Sequence, residues 1–95
     1  MQLSNQEIHI IKEILNSFVP NAERWVFGSR ACNQGAKYSD LDILLKTAEA
    51  ISLATLGKLQ EAFDESDLPF TVDLIDWHRI TPEFRQLILK NAQKL

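Results

Sequence analysis

The six residues from Asp40 to Leu45, with the sequence DLDILL, restrict the fold more than any other segment of the chain. Successive side chains of an extended strand point to opposite faces, so the acids Asp40 and Asp42 share one face with Leu44. The opposite face is entirely apolar and consists of Leu41, Ile43 and Leu45. The pattern predicts a strand whose apolar face packs on a core and whose acidic face stays open.

Three further segments have the periodicity of amphipathic helices. The first begins with a capping box formed by Ser4 and Glu7 and continues to the break at Pro20. The second extends from Ser52 to about Ser66, and the third starts at the cap and proline of Thr81-Pro82. The predicted apolar stripes are Ile8, Ile11, Leu15 and Phe18 in the first helix, Leu53, Leu56, Leu59 and Phe63 in the second, and Phe84, Leu87, Ile88 and Leu95 in the third.

Two other segments are typical of strands. Arg24 to Phe27 is short, aromatic and β-branched, and a glycine follows it. Phe70 to Asp76 alternates, and its parity places Asp73 on one face and Asp76 with the apolar residues on the other. Asp76 is therefore interpreted as a strand-end or loop-capping acid. Residues 29–39 are predicted to form one helical turn and a loop.

The order of these elements predicts a single domain over residues 1–95, of the α/β class and the α+β type. An antiparallel pairing of the first two strands would bring Gly28 next to Asp40. The helix before the third strand permits a parallel return by a right-handed crossover. The predicted architecture is a small mixed three-stranded sheet with helices packed on its apolar face and its acidic face left open.

The composition excludes several classes of function. The 10 Lys and Arg residues are scattered among 13 Asp and Glu residues, without the basic block that binding of long nucleic acids requires. No apolar run approaches the roughly 20 residues of a membrane span, and the N-terminus lacks the features of a signal peptide. The single cysteine, Cys32, has no partner for a disulfide or a thiolate metal site. We expect a cytoplasmic protein that binds neither membranes nor long nucleic acids.

The acidic residues predict a metal site. Asp40 and Asp42 would lie about 6.5 to 7 Å apart along one strand face, where both can converge on a hard cation. Mg²⁺ accepts carboxylates together with phosphate oxygens and water. The parity of the third strand adds Asp73 to the same face as a third ligand. Three carboxylates around two ions about 3.5 to 4 Å apart form the clamp used for in-line displacement at phosphorus.

The residues after the first strand are suited to hold the phosphates. Gly28 allows the backbone to approach a ligand closely, and Ser29 offers a hydroxyl group and an N–H at the start of the short helical turn. Arg30 is a candidate for a charge-assisted contact with the same phosphates. The sequence therefore predicts a nucleotide-binding segment at Gly28, Ser29 and Arg30.

The spacing of Gly28-Ser29, ten residues and Asp40-Leu41-Asp42, followed by a strand VDLID with Asp73, resembles the DNA polymerase beta-type nucleotidyltransferase superfamily. The segment GSRA…G…YSDLDILL is similar in particular to the minimal nucleotidyltransferases, and the resemblance extends from about Trp25 to Asp76. It implies a polymerase beta palm-like fold. It also implies that Gly28 and Ser29 hold a nucleoside triphosphate.

The resemblance further implies that Asp40 and Asp42 bind both metal ions. Asp73 would bind the catalytic ion and help to activate an acceptor hydroxyl group, which attacks the α-phosphorus and displaces pyrophosphate. Minimal members are often encoded beside a small helical protein of the HEPN family, and several act as antitoxins that transfer AMP to that partner. By this resemblance, we expect Mg²⁺-dependent transfer of a nucleoside monophosphate, AMP from ATP, to a partner protein.

Two other interpretations are left open. The same fold would serve as a binding module that neutralises a helical partner by stoichiometric complex formation, with weak or no catalysis. An aspartyl-phosphate phosphatase also uses an Asp-x-Asp motif, but a threonine usually follows there, where this chain has Ile43-Leu44-Leu45. The nucleotide, the acceptor, the number of groups transferred and the assembly of copies of the chain are not determined by the sequence.

Overall fold

The computed structural model describes residues 3–27 and 40–95. These residues form three α-helices, four strands and one 3₁₀ helix: α1 (Asn5–Phe18), β1 (Glu23–Phe27), β2 (Leu41–Lys46), α2 (Leu53–Asp64), β3 (Val72–Asp76), the 3₁₀ helix (Trp77–Arg79), α3 (Pro82–Asn91) and β4 (Gln93–Lys94). The predicted turn and loop over residues 29–39 lie outside the described residues.

The sheet has the strand order β3-β2-β1-β4. As predicted, β1 and β2 are antiparallel and β2 and β3 are parallel, with α2 as the connection. The prediction of three strands is wrong, because β4 pairs with β1 through Trp25 and Lys94 and through Val26 and Gln93. A two-residue strand of Gln and Lys has neither alternation nor β-branched residues, so its sequence carries no strand signal.

The helices begin where the sequence predicts. The Ser4 N–H donates to the Glu7 side chain over 2.9 Å, and the Glu7 N–H donates to the Ser4 hydroxyl over 3.1 Å, which completes the capping box. Ser52 and Thr81 cap α2 and α3 without a capping box: their hydroxyl groups accept from the N–H groups of Thr55 and Phe84. None of the helices within the described ranges has the length and apolar content that crossing a membrane requires.

One face of the sheet is covered by α1 and α2, and the main core lies between these layers. It is formed by Ile11, Leu15, Val19, Ala22, Val26, Leu41, Ile43, Leu45, Ile51, Leu59, Phe63, Phe70 and Val72. The predicted stripes are only partly confirmed. The exposed members of these stripes are Phe18, Leu53, Phe84 and Leu87, and Leu95 lies beyond the end of α3.

The prediction that the acidic face of the sheet stays open is wrong for the half farther from the acids. Leu44 shares that face by alternation, yet it is fully buried and lies outside the main core, as does Ile88 of α3. Trp77, directly after β3, stacks on Trp25 of β1 with 6.5 Å between ring centroids. Arg85 of α3 in turn lies over the Trp77 ring. The chain after β3 thus folds back over this half of the face.

Asp76, the last residue of β3, connects this strand to the residues just before α2. Its carboxylate is buried and accepts hydrogen bonds from the Ile51 N–H at 2.9 Å and the His78 N–H at 3.0 Å. It also pairs with the Arg79 guanidinium at 3.2 Å. The prediction that Asp76 is a capping acid is confirmed.

We expect Asp76→Ala to lower the free energy of unfolding by about 2 to 4 kcal/mol, since the buried Ile51 N–H and the partly buried His78 N–H lose their acceptor. Asp76→Asn should cost less, because its amide oxygen still accepts one of these bonds. Urea denaturation measures the free energy of unfolding of both variants, and Asp67→Ala is the control for loss of an exposed acid. A loss below about 1 kcal/mol in Asp76→Ala would contradict this role.

Candidate active site

The acids predicted to act together lie at one end of the sheet. Strands β2 and β3 are paired so that Asp42 lies directly beside Asp73, and on the other side Asp42 is paired with Phe27 of β1. Asp40 immediately precedes β2 and shares the face of Asp42 by alternation. The Leu41 N–H donates to the Thr71 carbonyl over 2.8 Å, which extends the pairing of these segments to the level of Asp40.

The environment of Asp42 differs from that of its neighbours. Asp42 is half-buried, whereas Asp40 and Asp73 are exposed. The pKa of Asp42 is raised above its usual value, first by burial, then by the negative charges of Asp73 and Asp40, and also by a side-chain hydrogen bond with Asp73. Bringing these carboxylates together therefore concentrates negative charge, which a bound cation would relieve.

The donor set fits Mg²⁺, which prefers carboxylate oxygens combined with phosphate and water oxygens. As the side chains stand, no three Asp, Glu, His or Cys groups of residues 3–27 and 40–95 form a ready-made ion site. Asp42 and Asp73 are nevertheless adjacent, and Asp40 is close enough for its charge to act on Asp42. The three acids are therefore the residues that would hold an ion, with the remaining ligands coming from water and substrate.

The predicted site residues fall into two groups, one within the described residues and one outside them. The structure brings Asp42 and Asp73 together with Asp40 and places Asp76 away from them, buried at its cap. The predicted nucleotide-binding residues Gly28, Ser29 and Arg30 lie outside the described residues, so their roles stay predictions.

Phe27 also lies at this site, which was not predicted from the sequence. Its register with Asp42 places this half-buried ring beside the acids, on the same face of the sheet. The signal was available, because an antiparallel pairing that brings Gly28 to Asp40 also brings the preceding residue close to Asp42.

The raised pKa of Asp42 predicts how stability depends on pH in metal-free buffer. The unfolded chain releases the Asp42 carboxyl proton at a lower pH than the native protein does. The stability that the protonated Asp42 contributes is therefore fully present below the unfolded pKa. It is lost as the pH rises through the native pKa. Asp42→Asn should therefore be more stable than the wild type at pH 7, and the difference should shrink towards pH 4.

Chemical denaturation with EDTA present, repeated across this pH range, tests the prediction. Asp67→Asn is the matched control, since it removes an exposed carboxylate outside the site. Equal stability of Asp42→Asn and the wild type at every pH would show that Asp42 is not destabilised by its neighbours.

Known proteins similar to this chain identify its family. Residues 4–95 match the model of the family described as Polymerase beta, Nucleotidyltransferase. A protein of Haemophilus influenzae named Probable protein adenylyltransferase MntA is 41% identical over 90 residues, which are 95% of this chain and 79% of that protein. A Methanocaldococcus jannaschii protein, also provisionally named a protein adenylyltransferase, is 33% identical over 97% of this chain and 96% of its own length.

Solved structures share the fold. A toxin–antitoxin crystal structure with AMP-PNP superposes with a TM-score of 0.78 at 22% identity, over 90% of this chain and 69% of that one. The structure of a tri-AMPylated Shewanella oneidensis HEPN toxin in complex with an MNT antitoxin gives a TM-score of 0.69 at 19% identity. The match covers 90% of this chain and 66% of that chain. The family model matches nearly the whole chain, and the 41% identical relative covers 95% of it. The chain belongs to the polymerase beta nucleotidyltransferase family.

Proposed function

We propose that this chain is a Mg²⁺-dependent nucleotidyltransferase that moves AMP from ATP to a hydroxyl group of a partner protein. The observation that carries the proposal is the pairing of Asp42 with Asp73, next to Asp40, at one end of the sheet. Adjacent carboxylates with an uncompensated negative charge suit a cation that also binds a polyphosphate. The family match restricts the transferred group to a nucleotidyl group.

Each site residue has a task in this proposal. Asp40 and Asp42 would hold the ions, with Asp73 as a further ligand of the catalytic ion. The ions would supply positive charge to the phosphates and lower the pKa of the acceptor hydroxyl. Asp73 is exposed beside them, where its carboxylate can orient that hydroxyl group. Gly28, Ser29 and Arg30 would hold the triphosphate. The acceptor hydroxyl would give its proton to the Asp73 carboxylate, and its oxygen would bond to the α-phosphorus as the bond to the pyrophosphate oxygen breaks and pyrophosphate leaves.

The proposed acceptor is a small helical protein of the HEPN family, with this chain as its antitoxin. Two curated relatives carry names that make a protein the substrate of adenylyl transfer. Structures with the same fold are described as toxin–antitoxin complexes, one with AMP-PNP and one with an AMPylated HEPN toxin. These descriptions support ATP as the donor and a toxin protein as the acceptor.

Transfer of label tests the proposal. The purified chain is incubated with Mg²⁺, the protein encoded by the neighbouring gene, and ATP labelled at either the α- or the γ-phosphate. We expect label on the partner from the α-position only. Asp42→Asn should reduce the rate at least about a hundredfold, because a ligand of the charge-stabilising ions is lost.

Asp67→Asn is the control for this experiment, since it makes the same chemical change outside the site. Transfer retained in a folded Asp42→Asn variant would reject the proposed site. If neither label is transferred but the partner is bound and neutralised, even with Asp40 and Asp42 both replaced by Asn, the chain acts as a stoichiometric binding module.

Binding of Mg²⁺ itself gives a second prediction that does not need turnover. At ten times its Kd, Mg²⁺ should stabilise the wild type by about 1.4 kcal/mol, because it binds only the native arrangement of the acids. The double variant Asp40→Asn, Asp42→Asn should lose this response. Thermal unfolding measures the stabilisation by Mg²⁺, and NaCl at equal ionic strength is the control. If Mg²⁺ raised the unfolding temperature of the variant as much as that of the wild type, the ion would bind elsewhere.

A further inference from the structure

The sheet face that carries the acids also carries a positively charged region. Lys46 lies four residues after Asp42 on β2, so alternation places both on the same face, about 13 Å apart along the strand. Leu44 lies between them and is paired with Trp25 on one side and Ile75 on the other. The face therefore changes from acidic to apolar to basic along β2.

Aromatic rings fix the positions of the positive charges. Trp25 and Trp77 are stacked with an interplanar angle of 26°. The Lys46 ammonium lies 4.7 Å from the centroid of the Trp77 ring, and the Arg85 guanidinium carbon lies 4.7 Å from the same centroid. Arg85 Nε also donates to the Trp77 carbonyl over 2.9 Å. Cation–π attraction and this hydrogen bond limit the freedom of both cationic groups.

Within the described part of the chain, neither Lys46 nor Arg85 forms an ion pair, although Glu23 is the cross-strand partner of Lys46. A third cation, Lys94, lies 5.3 Å from the Trp25 centroid, but it is paired with Glu23 at 3.3 Å. The chain has a net charge of −3, yet Lys46 and Arg85 place two positive charges without ion pairs on the face of the site. These charges favour binding of a negatively charged ligand.

We propose that the basic patch, defined as Trp25, Lys46, Trp77 and Arg85, binds an acidic segment of the acceptor protein. The inference rests on the proposed function and specifies which acceptors are used. An acceptor must approach the acids from this face, because α1 and α2 cover the opposite one. An extended segment advances about 3.3 Å per residue. An acidic side chain about four residues from the acceptor hydroxyl would therefore reach Lys46 and Arg85, with the segment passing over the stacked Trp25 and Trp77 rings instead of over the buried Leu44.

Two labelled peptides test the patch without requiring catalysis. Both contain one tyrosine, with either glutamate or glutamine at the fourth residue on each side. Fluorescence anisotropy in low salt should show the glutamate peptide binding about tenfold more tightly, as expected for two exposed ionic contacts. The double variant Lys46→Gln, Arg85→Gln should lose this preference, whereas Lys12→Gln, an exposed change on α1, should keep it.

Salt dependence of the wild type provides a measurement that does not depend on the folding of a variant. The preference for the glutamate peptide should decrease as NaCl is raised, because exposed charges are screened. Equal binding of both peptides to the wild type would overturn the proposal. A double variant that loses ATP affinity in parallel would also overturn it, since the patch would then bind nucleotide. Failure of AMP transfer alone would reject the proposed function but leave the peptide result intact.

Discussion

The parallel, in-register pairing of β2 with β3 is the constraint on which the rest of the structure depends, because it alone places Asp42 beside Asp73. A slip of one residue would turn the apolar residues of β2 out of the core. Leu41, Ile43 and Leu45 are all fully buried against the helices, so such a slip is strongly disfavoured. The apolar residues between the acids therefore set the positions of the charges.

The same strand shows why the fold tolerates neighbouring carboxylates. Full burial of a Leu or Ile side chain contributes about 1.5 to 3 kcal/mol. Two unit charges 4 Å apart at an effective dielectric constant of 20 repel by about 4 kcal/mol. Burial of three such side chains on β2 is comparable with the repulsion of Asp42 by its two neighbouring acids, before the contribution of α1 and α2 is added. Charge can thus be concentrated at the site while the sheet stays folded.

The sequence predicted the parts of the fold that repeat a local pattern. Helix caps at Ser4, Ser52 and Thr81, the alternation of β2 and the parity of Asp73 were all available from the order of residues. The covering of Leu44 was not, because it depends on how the chain after β3 folds back, which no local periodicity encodes. The two residues of β4 are too few to show a pattern, and the roles of Gly28, Ser29 and Arg30 still rest on sequence alone.

The position of β3 at the edge of the sheet has a consequence for solubility. An edge strand offers unpaired backbone groups to other chains, and charged side chains discourage such pairing. The Gln60 side chain donates to the Val72 carbonyl, and the exposed Asp73 contributes a negative charge near the start of this strand. Neutralising Asp73 removes a site residue and a barrier to intermolecular β-pairing at once, so light scattering should accompany any activity measurement on such a variant.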